Sequence, residues 1–113
     1  MTLALFFGYS KGEKPNPIST KVIPTVSTTV ATFITQNNAT SGGNITSDGG
    51  AAVTVRGVCW STNNNPTTSD NKTSDGSGIG GFSSSVTGLI PNTTYYIIAY
   101  ATNNIWTGYG NQL

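Results

Sequence analysis

Short runs of alternating apolar and polar residues, each closed by turn formers, recur along this chain from residue 22 onward, and no stretch repeats at the 3.6-residue helical period. The clearest run is Tyr95-Tyr-Ile-Ile-Ala-Tyr-Ala101. In Val53-Thr-Val-Arg-Gly-Val-Cys-Trp-Ser61 the alternation puts Val53, Val55, Gly57 and Cys59 on one face and Thr54, Arg56, Val58 and Trp60 on the other. Residues 39–46 form another run, closed by the turn sequence Ser47-Asp-Gly-Gly50. Residues 22–35 read as a strand broken at Pro24, which suits a sheet edge because proline cannot donate to a ladder. Phe82-Ser-Ser-Ser-Val86 adds a short strand after a polar loop around Asn63-Asn-Asn-Pro66 and a Ser/Asp/Gly-rich segment reaching Gly81. Seven or so strands at this spacing predict an all-β, two-sheet sandwich.

Composition narrows the function. Thr, Ser, Asn and Gly supply 57 of the 113 residues, nine residues are charged, and the net charge is +1. Such a balance offers no basic stripe, so no nucleic-acid partner is expected. The chain has no His, one Cys and one Glu, Glu13, which leaves the usual nucleophile, acid/base and transition-metal chemistries almost without residues. The expectation is a protein that is not an enzyme and needs no cofactor. No apolar run approaches the ~18 residues of a membrane helix, so no membrane span is expected. Low charge also marks disordered chains, but there the apolar residues are scattered and here they alternate.

The chain divides into an apolar N-terminal arm (1–10), a polar linker with Pro15 and Pro17 (11–21), and the sandwich (22–113). The arm, Met1-Thr-Leu-Ala-Leu-Phe-Phe-Gly-Tyr-Ser10, has two readings. It is the remnant of a secretory signal, lacking the usual basic residues in front. Otherwise it is a β-strand with Leu3, Leu5 and Phe7 on one face and Thr2, Ala4 and Phe6 on the other.

Leu89-Ile-Pro91-Asn-Thr93-Thr-Tyr95-Tyr-Ile97-Ile-Ala99-Tyr-Ala101 resembles the E–F corner and F strand of fibronectin type III domains, whose pattern is L-x-P-x-T-x-Y followed by alternating apolar residues. Thr40-Ser-Gly-Gly-Asn44, Arg56-Gly-Val-Cys-Trp-Ser61, Asn65-Pro-Thr-Thr68 and Tyr100-Ala-Thr-Asn103 are similar to a bacterial fibronectin type III-like subgroup repeated in secreted and surface-anchored proteins. The resemblance covers roughly residues 22–113. It implies an immunoglobulin-like sandwich, a non-catalytic role in a secreted, extracellular or cell-surface setting, Tyr95 as a tyrosine corner, and Ile97, Ala99 and Ala101 in the core.

One departure from that family matters. The last strand, ending at Tyr109-Gly-Asn-Gln-Leu113, is short, which leaves part of strand F without a partner. The apolar arm and this open edge together point to strand donation between copies of the chain, with Leu3, Leu5, Phe6 and Phe7 as contacts and a head-to-tail filament as the product. The competing readings are an arm that folds back on its own domain and a fragment of a longer repeat protein.

Other residues invite weaker readings. Asn103-Asn-Ile-Trp-Thr-Gly108 is the predicted F–G loop, where Ile105, Trp106 and the following Tyr109 either cover the core or contact a partner, a glycan or a surface protein included. Cys59, next to Trp60, reads as a small apolar core residue, with pairing between chains as the lesser alternative. The segment from Asp70 to Gly76 has a faint calcium-loop look without EF-hand spacing, so a solvated loop is preferred and no metal is expected. Four N-glycosylation sequons, at Asn38, Asn44, Asn71 and Asn92, arise readily in a chain so rich in Asn and Thr.

Overall fold

The structure is a computed structural model that describes residues 23–112. The described residues contain seven strands and no helix: β1 (Thr25–Thr28), β2 (Ala39–Ser47), β3 (Val55–Ser61), β4 (Asn71–Lys72), β5 (Gly80–Val86), β6 (Tyr96–Thr102) and β7 (Thr107–Tyr109). They form two antiparallel sheets, one ordered β1-β2-β5 and the other β4-β3-β6-β7, packed as a β-sandwich. The predicted N-terminal arm lies outside the described residues.

The inward-facing residues follow from the strand period of two. Ala39, Ile45 and Val86 of the first sheet meet Val58, Trp60, Ile97, Ala99 and Ala101 of the second. Small residues let the sheets approach: a Cβ on Gly43 would lie 2.7 Å from the Cβ of Ala99. Val53 departs from the sequence expectation. It lies before β3 begins and packs inward with Ile45 and Ala101, whereas Val55 faces the other way, beside Cys59, Ile98 and Tyr100. Alternation holds only inside the ladder, and residues 53 and 54 precede it.

The outer face of the second sheet is buried as well. Residues 62–70 cross it from β3 toward the end of the chain, with Pro66 buried, the Thr68 N–H donating to the Tyr109 hydroxyl and the Asn65 N–H donating to Gln112 Oε1. On the far side of β3, residues 71–76 extend the pairing of β4: Thr73 and Asp75 donate their N–H groups to Val58 and Arg56 carbonyls at 2.9 and 2.6 Å. Beneath them Tyr100 donates its hydroxyl to the Thr73 carbonyl. The Arg56 guanidinium lies 5.2 Å above the Phe82 ring and donates to the carbonyls of Asp75, Gly78 and Ile79, so one cation fixes the whole approach to β5.

The expected strand over residues 22–35 is shorter than its pattern. β1 ends at Thr28; beyond it the Thr29 N–H still donates to the Gly42 carbonyl and an isolated bridge joins Thr32 to Thr40. The chain turns at Phe33, whose φ of 49° is left-handed, to enter the hairpin leading to β2.

Candidate functional site

The antiparallel order fixes two ends. The upper end holds the β6–β7 turn, the 48–50 turn and Ile23, because Asn103 Nδ2 donates to the Asp48 carbonyl and Gly49 and Gly108 lie against the backbone of Ile23 and Pro24. The lower end holds the 33–38 turn and the 88–94 corner, joined by the Leu89 N–H donating to the Asn37 carbonyl at 3.0 Å.

At the lower end the sandwich is open along β6. Antiparallel pairing turns the N–H and C=O of alternate residues to opposite sides. Ala99 and Ala101 face β7; Ala101 pairs with Gly108, and the Ala99 carbonyl accepts from the Gly110 N–H at 2.8 Å. The Ala99 N–H goes instead to the Thr28 hydroxyl at 2.9 Å, and the Thr28 N–H goes to Asn111 Oδ1 at 3.1 Å. This clasp joins the two sheets at their edges. Past it the chain leaves β6, and Gln112 bonds to Asn64 and Asn65. Ile97, next in the same phase, therefore presents its N–H and C=O to a position where no described residue pairs with them.

Beside that edge lies an apolar cleft of about 250 Å³ lined by Ala31, Ile34, Ala39, Leu89, Tyr95 and Ile97, with Thr93 at its rim. A second depression of about 590 Å³ adjoins it and shares Ile34, Leu89, Thr93 and Tyr95. Tyr95 is anchored here by its hydroxyl, which accepts from the Ile90 N–H at 3.0 Å. Around the cleft stand exposed apolar side chains: Val30, Phe33 at 83% exposure, Ile34 at 70% and Ile90.

The upper end carries a smaller apolar group. Asn103 Oδ1 accepts from the N–H groups of Ile105 and Trp106 at 2.8 and 2.7 Å, and its own N–H donates to the Trp106 carbonyl. These bonds tie the turn tightly and hold Trp106 out, at 56% exposure, beside exposed Ile105 and Ile23.

The other sequence candidates fall as follows. Leu3, Leu5, Phe6 and Phe7 lie outside the described residues. Tyr109 is partly exposed, and its hydroxyl accepts from Thr68. Trp60 is in the inter-sheet core. Cys59 is fully buried on the opposite face and donates its thiol to the Ile98 carbonyl at 3.6 Å; its pKa is pushed up to about 12 by burial, with Asp70 adding to the shift. A thiol so protonated is a poor nucleophile. The aspartates serve local backbone and hydroxyls: Asp48 accepts from the Gly50 N–H, Asp70 from the Thr67 N–H, and Asp75 from the Thr73 and Ser84 hydroxyls. Among the described residues no group of three or more His, Cys, Asp or Glu side chains is arranged to hold a metal.

Sequence reading missed Thr28, Asn111 and the cleft residues Ala31 and Ile34. The signal for the cleft was the pair Phe33-Ile34, too apolar for a turn and absorbed into an overlong strand. No known protein family matches the sequence, and no curated protein is similar to it.

Proposed function

We propose that this is a non-catalytic, fibronectin type III-like module of an exported, cell-surface assembly, and that copies join when residues 1–7 of one pair with the open β6 edge of the next. The observation that carries this reading is the stretch of β6 at Ile97 that no described residue pairs, beside an apolar cleft. Strand addition takes its affinity from main-chain hydrogen bonds and its specificity from pockets for alternate side chains. Leu3, Leu5 and Phe7 recur every second residue, the spacing that the edge residues Tyr95 and Ile97 also have. The family assignment draws support from the three-plus-four strand arrangement and from the Tyr95 hydroxyl bonded within its own corner.

The test compares the full chain with a Leu3→Asp/Leu5→Asp variant by size-exclusion chromatography with light scattering and by negative-stain electron microscopy. Filaments or large oligomers for the first and monomers for the second are the expected pair. Equal assembly of both overturns strand donation. So does a monomeric parent that the double substitution destabilises, because the arm then covers its own domain.

A second reading takes the rigid β6–β7 turn as a recognition loop for a glycan or a surface protein, on the observation that Trp106 is held outward by two hydrogen bonds to Asn103, with a third from the Ile105 N–H. Glycan-array binding that survives Leu3→Asp/Leu5→Asp and disappears with Trp106→Ala would establish it.

A further inference from the structure

The two ends of the sandwich are apolar for no reason that the described residues of one copy supply. Phe33 is the sharpest case. A bulky residue at φ 49° sits in the left-handed region and is strained relative to a relaxed backbone. Glycine or asparagine would hold that turn without the strain. Phenylalanine is nevertheless there, with its ring 83% exposed and no buried contact to offset the cost. Ile34 and Ile90 lie exposed beside the same cleft, and the 30–38 and 88–94 segments that build this end carry no charged residue. At the other end, Trp106 and Ile105 project from a turn tied down by Asn103.

These two surfaces cannot cover each other within one molecule. β6 runs from the lower corner to the upper turn, and its seven residues span about 24 Å. The lower one carries no charge and the upper one, among the described residues, only Asp48 of the 48–50 turn, whose carboxylate accepts from the Gly50 N–H; each is too small to be a core. We infer that they dock on each other in successive copies, with Trp106 and Ile105 of one copy seated against Phe33, Ile34 and Ile90 of the next.

The occupant is a second copy because of where the rest of the chain leaves. The described residues begin at Ile23, at the upper end beside Gly49 and Gly108. Stacking upper end on lower end brings the root of the N-terminal arm to the end where the next copy's cleft opens. The 15 residues between Phe7 and Ile23 span at most about 50 Å, more than the length of the domain along β6. One junction then has two parts, the stacked ends and the donated strand. The contact is heterologous and leaves a free end on each side, so it propagates. This inference rests on the strand-donation reading for its second part, while the stacked ends stand on their own observations.

Two full-length variants test it, Trp106→Lys with a damaged upper end and Phe33→Glu with a damaged lower end. Both sites are exposed, so the fold is expected to survive. Each variant should associate about tenfold or more weakly than the parent, the loss typical of a central aromatic contact. At a concentration where each alone is monomeric, an equimolar mixture should form discrete heterodimers by sedimentation velocity. Only the upper end of the Phe33→Glu chain and the lower end of the Trp106→Lys chain are then intact, and they make one junction. Phe33→Gly adds a separate readout: it should raise the melting temperature of the monomer by removing strain while weakening assembly.

Variants that assemble as the parent does, or a mixture that stays monomeric, overturn end stacking. If they do so while Leu3→Asp/Leu5→Asp abolishes assembly, strand donation survives without it. Heterodimers from the mixture together with full assembly of the arm variant leave end stacking standing and remove strand donation. A parent chain that is monomeric at all concentrations overturns both.

Discussion

Thr28→Val isolates the clasp that holds the two sheets together where β7 gives out. Valine keeps the β-branched shape and removes only the hydroxyl that accepts from the Ala99 N–H at 2.9 Å. Ala99 is fully buried, so water cannot replace the lost acceptor without opening the edge. Leaving a buried donor unpaired costs about 1–3 kcal/mol. For a domain of this size each kcal/mol is worth about 4–8 °C in melting temperature. The variant should therefore melt roughly 4–24 °C lower, and its urea midpoint should fall with an unchanged slope. Thr28→Ser, which keeps the oxygen, should stay within about 0.5–1 kcal/mol of the parent. Hydrogen exchange gives the local readout: the Ala99 amide should exchange faster in the valine variant and unchanged in the serine one. Equal stability of the valine and serine variants, with equal protection at Ala99, would refute the argument that this hydroxyl closes the edge.

Two further outcomes follow from the buried outer face. The Cys59 thiol is raised from an ordinary 9.0 to about 12 in the folded chain. The folded state thus holds the proton more tightly than the unfolded one, and the stability this provides is complete below pH 9 and is lost as pH rises toward 12. The loss should approach about 1.4 kcal/mol per pH unit in that window, be absent from the pH dependence of Cys59→Ala, and be read from urea midpoints. Tyr100, raised by burial, adds a loss of the same sign that the alanine variant retains. Gly57→Ala would drive a Cβ into the Thr73 carbonyl, 2.8 Å from its carbon and closer still to the oxygen that accepts the Tyr100 hydroxyl. Forcing the 71–76 segment off β3 should cost about 1–3 kcal/mol in thermal denaturation, and a neutral result would mean that the segment is not held there.

The strands were legible wherever a side chain had two clearly different sides to face. β6 reads directly, because Ile97, Ala99 and Ala101 pack between the sheets as their alternation requires. β3 reads for the same reason up to Val55, and misleads at Val53, where the chain has not yet entered the ladder. β4 carries no such signal. Its two exposed residues, Asn71 and Lys72, are a strand only because β3 offers them an edge. The cleft was hidden by a tertiary effect. Nothing local says that a Val-Ala-Thr-Phe-Ile run must break at Phe33, and the break is set by where β2 has to start. The clasp was equally invisible, since Thr28 and Asn111 are 83 residues apart and neither is unusual in a chain so rich in Thr and Asn. The shortness of β7 was readable, but its consequence had to be traced through the phase of the ladder to Ile97.

The treatment of the sheet edges argues for an occupant of the open one. A strand edge left unpaired in water invites association, and folded chains blunt it with short strands, charge or proline. Two edges here carry such devices. β4 is two residues long and carries Lys72, and β1 is preceded by Pro24 and clasped by Asn111. Lower β6 has none of them among the described residues. Its side chains there are Tyr96, Ile97 and Ile98, with Tyr95 just before them, and the turns around it add Phe33, Ile34 and Ile90, with no charge to oppose a second chain. Indifferent aggregation would need only a sticky patch. Under the strand-donation proposal, a patch that coincides with a rung of the ladder that no described residue pairs, beside an apolar cleft lined by Tyr95 and Ile97, would favour a strand. The same chain carries residues 1–7, whose Leu3, Leu5 and Phe7 have that spacing.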